Sequence, residues 1–291
     1  MKVICWTALL WATTTFGQIT PSHPFNGVYT GEYLHSIAFP IGGIGAGMFC
    51  LEGTGAISHF SVRNTPDIFN EPKMFAAITI REFPGKVRVL EGPVPDWKKF
   101  GQPDAAIGDP GRTWGLARFP FGEVILHDAS LPLEVRITGW SPFIPTDPDN
   151  SSLPVGALEY HFKNTGRQTL HYIFSYNSRN IMALPDAGPS LIKHFDKGFI
   201  LSQEAMAQAP EQWGDFVIFT DDPAVVVNYC WFRSGWFDPL TRTWDDIEQG
   251  IIRSNPPAPD ARGGIPAGTL YAAAWRRKDD SGTDGVVRAG Y

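Results

Sequence analysis

Phe39-Pro-Ile-Gly-Gly-Ile-Gly-Ala-Gly-Met-Phe-Cys-Leu-Glu-Gly-Thr-Gly-Ala-Ile-Ser-His-Phe-Ser-Val-Arg-Asn64 is the stretch whose reading decides the fold. It holds Gly42, Gly43, Gly45, Gly47, Gly53 and Gly55. Glycine loses more backbone entropy on folding than any other residue, so this density implies positive φ angles or a backbone that something approaches closely. The approaching group is either a phosphate, in a nucleotide-binding loop, or a neighbouring strand, in a β domain. A dinucleotide fingerprint requires G-x-G-x-x-G between a strand and a helix. Here Met48 stands where the third glycine belongs, and Gly53 and Gly55 oppose the helix that must follow. A Walker A loop needs Gly-Lys-Ser/Thr, and no lysine occurs between Lys2 and Lys73. The stretch therefore reads as a backbone device of a β domain. Gly43, Gly45 and Gly47 are expected in positive φ or in close contact with a strand.

Outward from this stretch the chain alternates between strand and turn signals. Ile57-Ser-His-Phe-Ser-Val62 has strand periodicity. Phe75-Ala-Ala-Ile-Thr-Ile-Arg81 and Lys86-Val-Arg-Val-Leu90 flank Pro84-Gly85, a pair suited to the centre of a type II turn. Glu123-Val-Ile-Leu-His127 and Leu133-Glu-Val-Arg-Ile-Thr138 form a second pair. Ala157-Leu-Glu-Tyr-His-Phe-Lys163, the turn Asn164-Thr-Gly166 and Thr169-Leu-His-Tyr-Ile-Phe-Ser-Tyr176 predict a hairpin. Further strands are expected over 198–202, 215–220 and 224–232, with one or two helical turns at most over 204–212. Many short strands at this spacing give an all-β fold, a large two-sheet antiparallel β-sandwich.

Composition agrees. Among 291 residues, 30 glycines, 25 prolines and 13% aromatics fit an all-β domain with a sizeable core, and 19% charged residues exclude a disordered chain. A net charge of −6 gives no electrostatic basis for binding nucleic acid. Residues 1–17 resemble a signal peptide: Lys2 precedes an apolar run over 3–12, and Thr15 and Gly17 are small residues at the cleavage positions. The run is well short of the ~20 residues of a membrane span. A secreted or periplasmic location is the expectation. Export would permit a Cys50–Cys230 disulfide, and two buried thiols are the equal alternative.

Chemistry-bearing patterns are sparse. The seven histidines are scattered without ligand spacing, and three cysteines cannot form a zinc ribbon, so no metal site is expected. No G-x-S-x-G elbow appears. Asp147, Asp149 and Asn150 lack the ligand spacing of a calcium loop and read as a solvated turn. The tryptophans Trp97, Trp114, Trp236 and Trp244 are the remaining hint. Trp236 and Trp244 are candidates for stacking on a sugar ring, against the plainer reading that they fill a core or an interface.

Two blocks together resemble a known family. Phe39-Pro-Ile-Gly-Gly-Ile-Gly-Ala-Gly47 with Phe60-Ser-Val-Arg-Asn64 is similar to the opening of the N-terminal domain of glycoside hydrolase family 116, the bile-acid β-glucosidase or non-lysosomal glucosylceramidase family. Arg136-Ile-Thr-Gly-Trp-Ser-Pro-Phe-Ile-Pro145, Ser151-Ser-Leu-Pro-Val155 and Lys163-Asn-Thr-Gly166 resemble a second segment of that domain. The resemblance covers about residues 30–270 and implies a β-sandwich over 18–272 whose partner is an (α/α)6 catalytic domain. The family's nucleophile Glu and acid/base Asp lie in that partner domain, so no catalytic residue is carried onto this sequence, and no cofactor is implied. A retaining mechanism needs both carboxylates, so this chain alone is expected not to hydrolyse glycosides. A free-standing carbohydrate-binding or interaction module is the alternative. From Trp275-Arg-Arg-Lys-Asp-Asp280 onward the sequence departs from the family pattern. A shifted reading frame or a disordered tail is expected over 273–291, with poor order after about residue 272.

Overall fold

Alternation decides which way each strand faces. Along Leu133–Trp140 the residues are buried at every second position, with Glu134, Arg136 and Thr138 turned away from the core. A computed structural model describes residues 27–68, 74–92, 112–118, 120–232, 238–258, 266–276 and 281–290, without side chains for 112–118, 275–276 and 281–290.

The strands are β1 (Tyr29–Thr30), β2 (Ala38–Ile41), β3 (Met48–Glu52), β4 (Ile57–Val62), β5 (Thr65–Asp67), β6 (Met74–Ile80), β7 (Arg88–Val89), β8 (Arg112–Arg118) and β9 (Phe121–His127). They continue as β10 (Leu133–Trp140), β11 (Val155–Asn164), β12 (Leu170–Arg179), β13 (Ser190–Phe195), β14 (Gly198–Gln203), β15 (Gly214–Thr220), β16 (Val226–Asn228), β17 (Ala267–Arg276) and β18 (Ser281–Gly290). A nine-stranded sheet runs β1-β8-β9-β10-β11-β18-β15-β14-β13. Facing it are a five-stranded sheet, β16-β17-β12-β6-β7, and a four-stranded sheet, β2-β3-β4-β5. The pairings are antiparallel. The fold is the all-β sandwich expected, with its second layer divided between two sheets. One apolar core joins all three sheets: Ile41 and Phe60 from the four-stranded sheet, Ile78 and Phe174 from the five-stranded, Ile137 and Phe162 from the nine-stranded.

Several expected pairings are in place. Lys86 N–H donates to the Phe83 carbonyl (3.1 Å) across Pro84-Gly85, and β6 and β7 pair beyond that turn. β9 pairs with β10 as expected, with Val124 opposite Ile137.

The hairpin expected at Asn164-Thr-Gly166 is not a hairpin. β11 pairs with β10 and β18, whereas β12 pairs with β6 and β17 in the opposite layer. Alternating strands with aromatics on their inner faces can meet face to face as well as edge to edge. Here Tyr160 packs on Phe174 with ring centroids 4.9 Å apart, and Phe162 on Tyr172 at 5.1 Å. Asn164 makes the corner: its Nδ2 donates to the Gln168 carbonyl (2.7 Å) and its Oδ1 accepts from Gly166 N–H (2.8 Å).

Two further stretches of backbone strand lie at the C-terminal end. Residues 273–276 complete β17, and Ser281–Gly290 form β18 between β11 and β15. Without that strand, β11 and β15 would each present unpaired backbone groups toward the other. Residues 277–280, between these two strands, and 291 lie outside the described residues. The 224–232 run is strand only at Val226–Asn228, and 204–212 contributes a single 3-10 turn, Pro210–Gln212. The helix Pro239–Glu248 was not foreseen. Its signal is Asp238-Pro239: the Asp238 carboxylate accepts from the N–H groups of Leu240 (3.2 Å) and Thr241 (3.1 Å), with proline at the first helical position. The segments 1–26 and 233–237, with the expected signal peptide and Trp236, lie outside the described residues, as does Trp97.

Candidate functional site

The glycine loop, residues 42–47 between β2 and β3, does not stand alone. Ser141, at the end of β10, fastens its start: the hydroxyl donates to the Pro40 carbonyl (2.9 Å) and accepts from the Gly42 N–H (3.2 Å). Ile44 N–H donates to the Ser151 carbonyl (2.8 Å). Gly43 lies against the backbone of Ser152 and Leu153. A Cβ at this position would fall 2.7 Å from the Ser152 carbonyl carbon and collide with the Leu153 carbonyl oxygen. Gly45 and Gly47 hold φ of +75° and +89°, which only glycine adopts readily. Gly43 is thus glycine for space and Gly45 for conformation, since nothing stands near a Cβ at Gly45.

The segment receiving the loop is fixed in turn. Ser151 Oγ accepts from Ile144 N–H (2.9 Å) and donates to the Ile144 carbonyl (3.0 Å). Asp147 caps the one-turn helix Pro148–Ser151, accepting from Asn150 Nδ2 (2.6 Å) and Asn150 N–H (3.1 Å). Those two bonds hold its carboxyl below the ordinary range. Asp147 is a cap, as the solvated-turn reading expects. Inward from the loop, Phe39 covers Gly122 and Ile41 lies between Gly139 and Gly156, so small residues in β9, β10 and β11 admit the side chains of β2.

The surface around this junction is apolar. Ile44 (58% exposed), Phe121 (52%), Ile144 (49%), Leu153 (48%), Val155 and Met48 are six of the thirteen exposed large apolar side chains among the described residues. Phe121 and Trp140 are cross-strand neighbours on the same outer row. Soluble surfaces seldom gather apolar side chains this way except where something docks.

The two sequence blocks quoted above, 39–47 in the first and 136–145 with 151–155 in the second, therefore meet in one structural unit. The model of the family described as beta-glucosidase 2, glycosyl-hydrolase family 116 N-term, matches residues 38–275. The chain belongs to that family. No curated protein matches the chain.

Other features of this family 116 domain are structural. Arg63 and Asn64, both at φ +53°, make the two-residue turn between β4 and β5. The Arg63 guanidinium donates to the Met182 (3.1 Å) and Gln212 (2.9 Å) carbonyls, and burial lowers its pKa. Ser58, His59 and Glu52 gather as a nucleophile, base and acid would, but in the wrong order. Ser58 donates to Glu52 Oε1 while its oxygen lies 2.6 Å from His59 Nδ1. The serine proton thus goes to the carboxylate instead of the imidazole, and at 2% exposure the hydroxyl cannot meet a substrate. Cys50 and Cys230 are not joined in a disulfide. Burial, with Glu52 nearby, pushes the Cys50 thiol up to about 12. Among the described residues no three His, Cys, Asp or Glu side chains converge as a metal site requires, and no helix is long and apolar enough to cross a membrane.

Trp244 is not part of the glycine-loop site. It lies on the helix Pro239–Glu248 and packs, half-buried, on a second small core that includes Phe75, Ala77, Trp231 and Ile247. That is the plainer of its two expected roles. Beside the helix is a cavity of about 170 Å³ lined by Asn228, Trp231, Phe232, Arg242, Asp246 and Arg253, with Thr243 and Asn255 completing it. The sequence reading assigns none of these residues a binding role. They come from three separated segments and form no motif.

Proposed function

We propose that this domain is the non-catalytic N-terminal β-sandwich part of a β-glucosidase- or glucosylceramidase-like glycoside hydrolase. Its role is to support an (α/α)6 catalytic domain, and the apolar surface around the glycine loop is the face it offers. Membership of the family supports the partner. The observation that carries the face is the gathering of Ile44, Phe121, Ile144 and Leu153, all exposed, on a backbone junction too tightly fastened to move aside. The glycoside chemistry belongs to the two carboxylates of the catalytic domain. Export by a signal over residues 1–17 would place the protein outside the cytoplasm, secreted or periplasmic.

Co-expression with a family (α/α)6 domain tests this reading. The two proteins are expected to co-purify and to hydrolyse an aryl β-glucoside, while this chain alone gives no turnover. Ile44→Asp with Leu153→Asp is expected to abolish co-purification without lowering the melting temperature, because both side chains are already in water. Turnover by the chain alone that disappears when one of its own carboxylates is replaced would overturn the proposal. So would a double variant that associates as well as the parent.

A further inference from the structure

The cavity beside the helix Pro239–Glu248 is lined mainly by amide, charged and aromatic side chains. Its floor is rigid. Trp231 Nε1 donates to Thr269 Oγ1 (2.9 Å), and Thr269 Oγ1 donates to Asn177 Oδ1 (2.8 Å), all within the buried interior. One wall is amide. Asn228 Oδ1 accepts from Cys230 N–H (3.2 Å), and Asn255 Nδ2 donates to the Cys230 carbonyl (2.8 Å), so both amides are held in fixed orientations. The facing wall is ionic. Arg253 Nη2 donates to Asp246 Oδ1 (2.6 Å) and its Nε to the other oxygen, a paired fork. At the lip Phe232 is exposed, with the Arg242 guanidinium 5.9 Å from its ring centroid.

These groups specify a ligand class. The cavity offers fixed donors and acceptors on two walls and an aromatic surface at its mouth. Among the described residues its charges are matched: Arg253 is paired with Asp246, and Arg242 lies 3.6 Å from Asp245. An anion would have to displace a carboxylate already in place, whereas a neutral polyol needs only the remaining donor and acceptor capacity. The volume, about 170 Å³, exceeds that of an ordered water and falls below the roughly 300–1,000 Å³ of pockets for larger ligands. It suits a single ring. We infer that this cleft binds one neutral sugar ring, its hydroxyls on Asp246 and Arg253 and its apolar face toward Phe232. The inference stands apart from the docking proposal, because the cleft is built by a different sheet and needs no second domain.

Calorimetric titration of the full chain with methyl β-D-glucopyranoside, and separately with sodium sulfate, tests it. Saturable heat is expected for the glycoside and none for sulfate. Phe232→Ala and Arg242→Ala are each expected to weaken glycoside binding by about twofold to tenfold, the range for loss of one aromatic contact or one polar contact at the mouth. Both positions are exposed, so melting temperatures should be unchanged; Arg136→Ala, on the nine-stranded sheet, should leave binding at the parent value. Absence of saturable glycoside binding, or binding that neither variant weakens, would overturn the inference. Sulfate competing with the glycoside would do the same by assigning the cleft to anions.

Discussion

The glycine-loop junction and the cleft beside the helix Pro239–Glu248 are built from opposite materials. At the junction the backbone does the work. Gly43 meets the Ser152–Leu153 backbone, Ser141 ties two main-chain groups, and the outward side chains are apolar. In the cleft the side chains do the work. Amides, an Arg–Asp fork and an aromatic lip surround a cavity whose walls come from residues 228–255. A site made of backbone tolerates few sequences, because a missing Cβ or a positive φ can be met almost only by glycine. A site made of side chains leaves no local pattern.

The largest expected effect separates the two glycine requirements at the junction. Gly43→Val should cost about 3 kcal/mol or more in urea unfolding, since its side chain meets backbone that cannot swing away. Gly45→Ala should cost only about 1–2 kcal/mol, the penalty for a left-handed residue with open space around it. Equal costs would show that close approach is not what requires Gly43. Next in size is Arg63→Ala, which withdraws donors from two carbonyls, Met182 and Gln212, and should cost about 2–3 kcal/mol. Arg63→Lys should recover only part of this, because an ammonium lacks the fork that reaches both.

A smaller effect comes from a region held by neither device. Asp128 pays a desolvation cost that raises its pKa, but hydrogen bonds from Ser130 N–H (2.7 Å) and Arg88 Nε (2.6 Å) outweigh it and leave the carboxyl below the ordinary range. Glu82 is lowered likewise by bonds from His171 N–H (2.8 Å) and the His171 ring (2.6 Å). A carboxyl lowered by folding stabilises the native state above its unfolded pKa, and that stability is lost as pH falls through the folded value. Unfolding free energy should therefore decline from pH 5 toward pH 2. Asp128→Asn should flatten that decline and cost about 1–2 kcal/mol at pH 7. The smallest effect is chemical. Cys50, buried behind the glycine loop with its thiol at about 12, should resist alkylation at pH 8, while the half-buried Cys230 near the cleft should label first. Faster labelling at Cys50 would mean that the junction opens more readily than the cleft.

The contrast also explains what could be read beforehand. The glycine density, the alternation in β9, β10 and β11, and Pro84-Gly85 are local signals with local causes, and each appears in the structure as read. The layer to which β12 belongs is a long-range choice. Asn164-Thr-Gly166 fits a hairpin tip and a sandwich corner equally, and only the Tyr160–Phe174 and Phe162–Tyr172 packing selects the corner. β18 was missed because Ser281-Gly-Thr-Asp-Gly285 carries little strand propensity, and its pairing with β11 supplies the order. The helix Pro239–Glu248 was missed although Asp238-Pro239 announces its start. With it went Arg242 and Asp246, and hence the cleft.

The most direct measurement for the account as a whole is hydrogen–deuterium exchange on this chain, alone and bound to a family (α/α)6 domain. The account predicts new protection over residues 41–48 and 141–155 in the complex, with exchange over 228–232 and 239–255 unchanged. Protection appearing over 239–255 while 41–48 and 141–155 keep their free-state rates would contradict it.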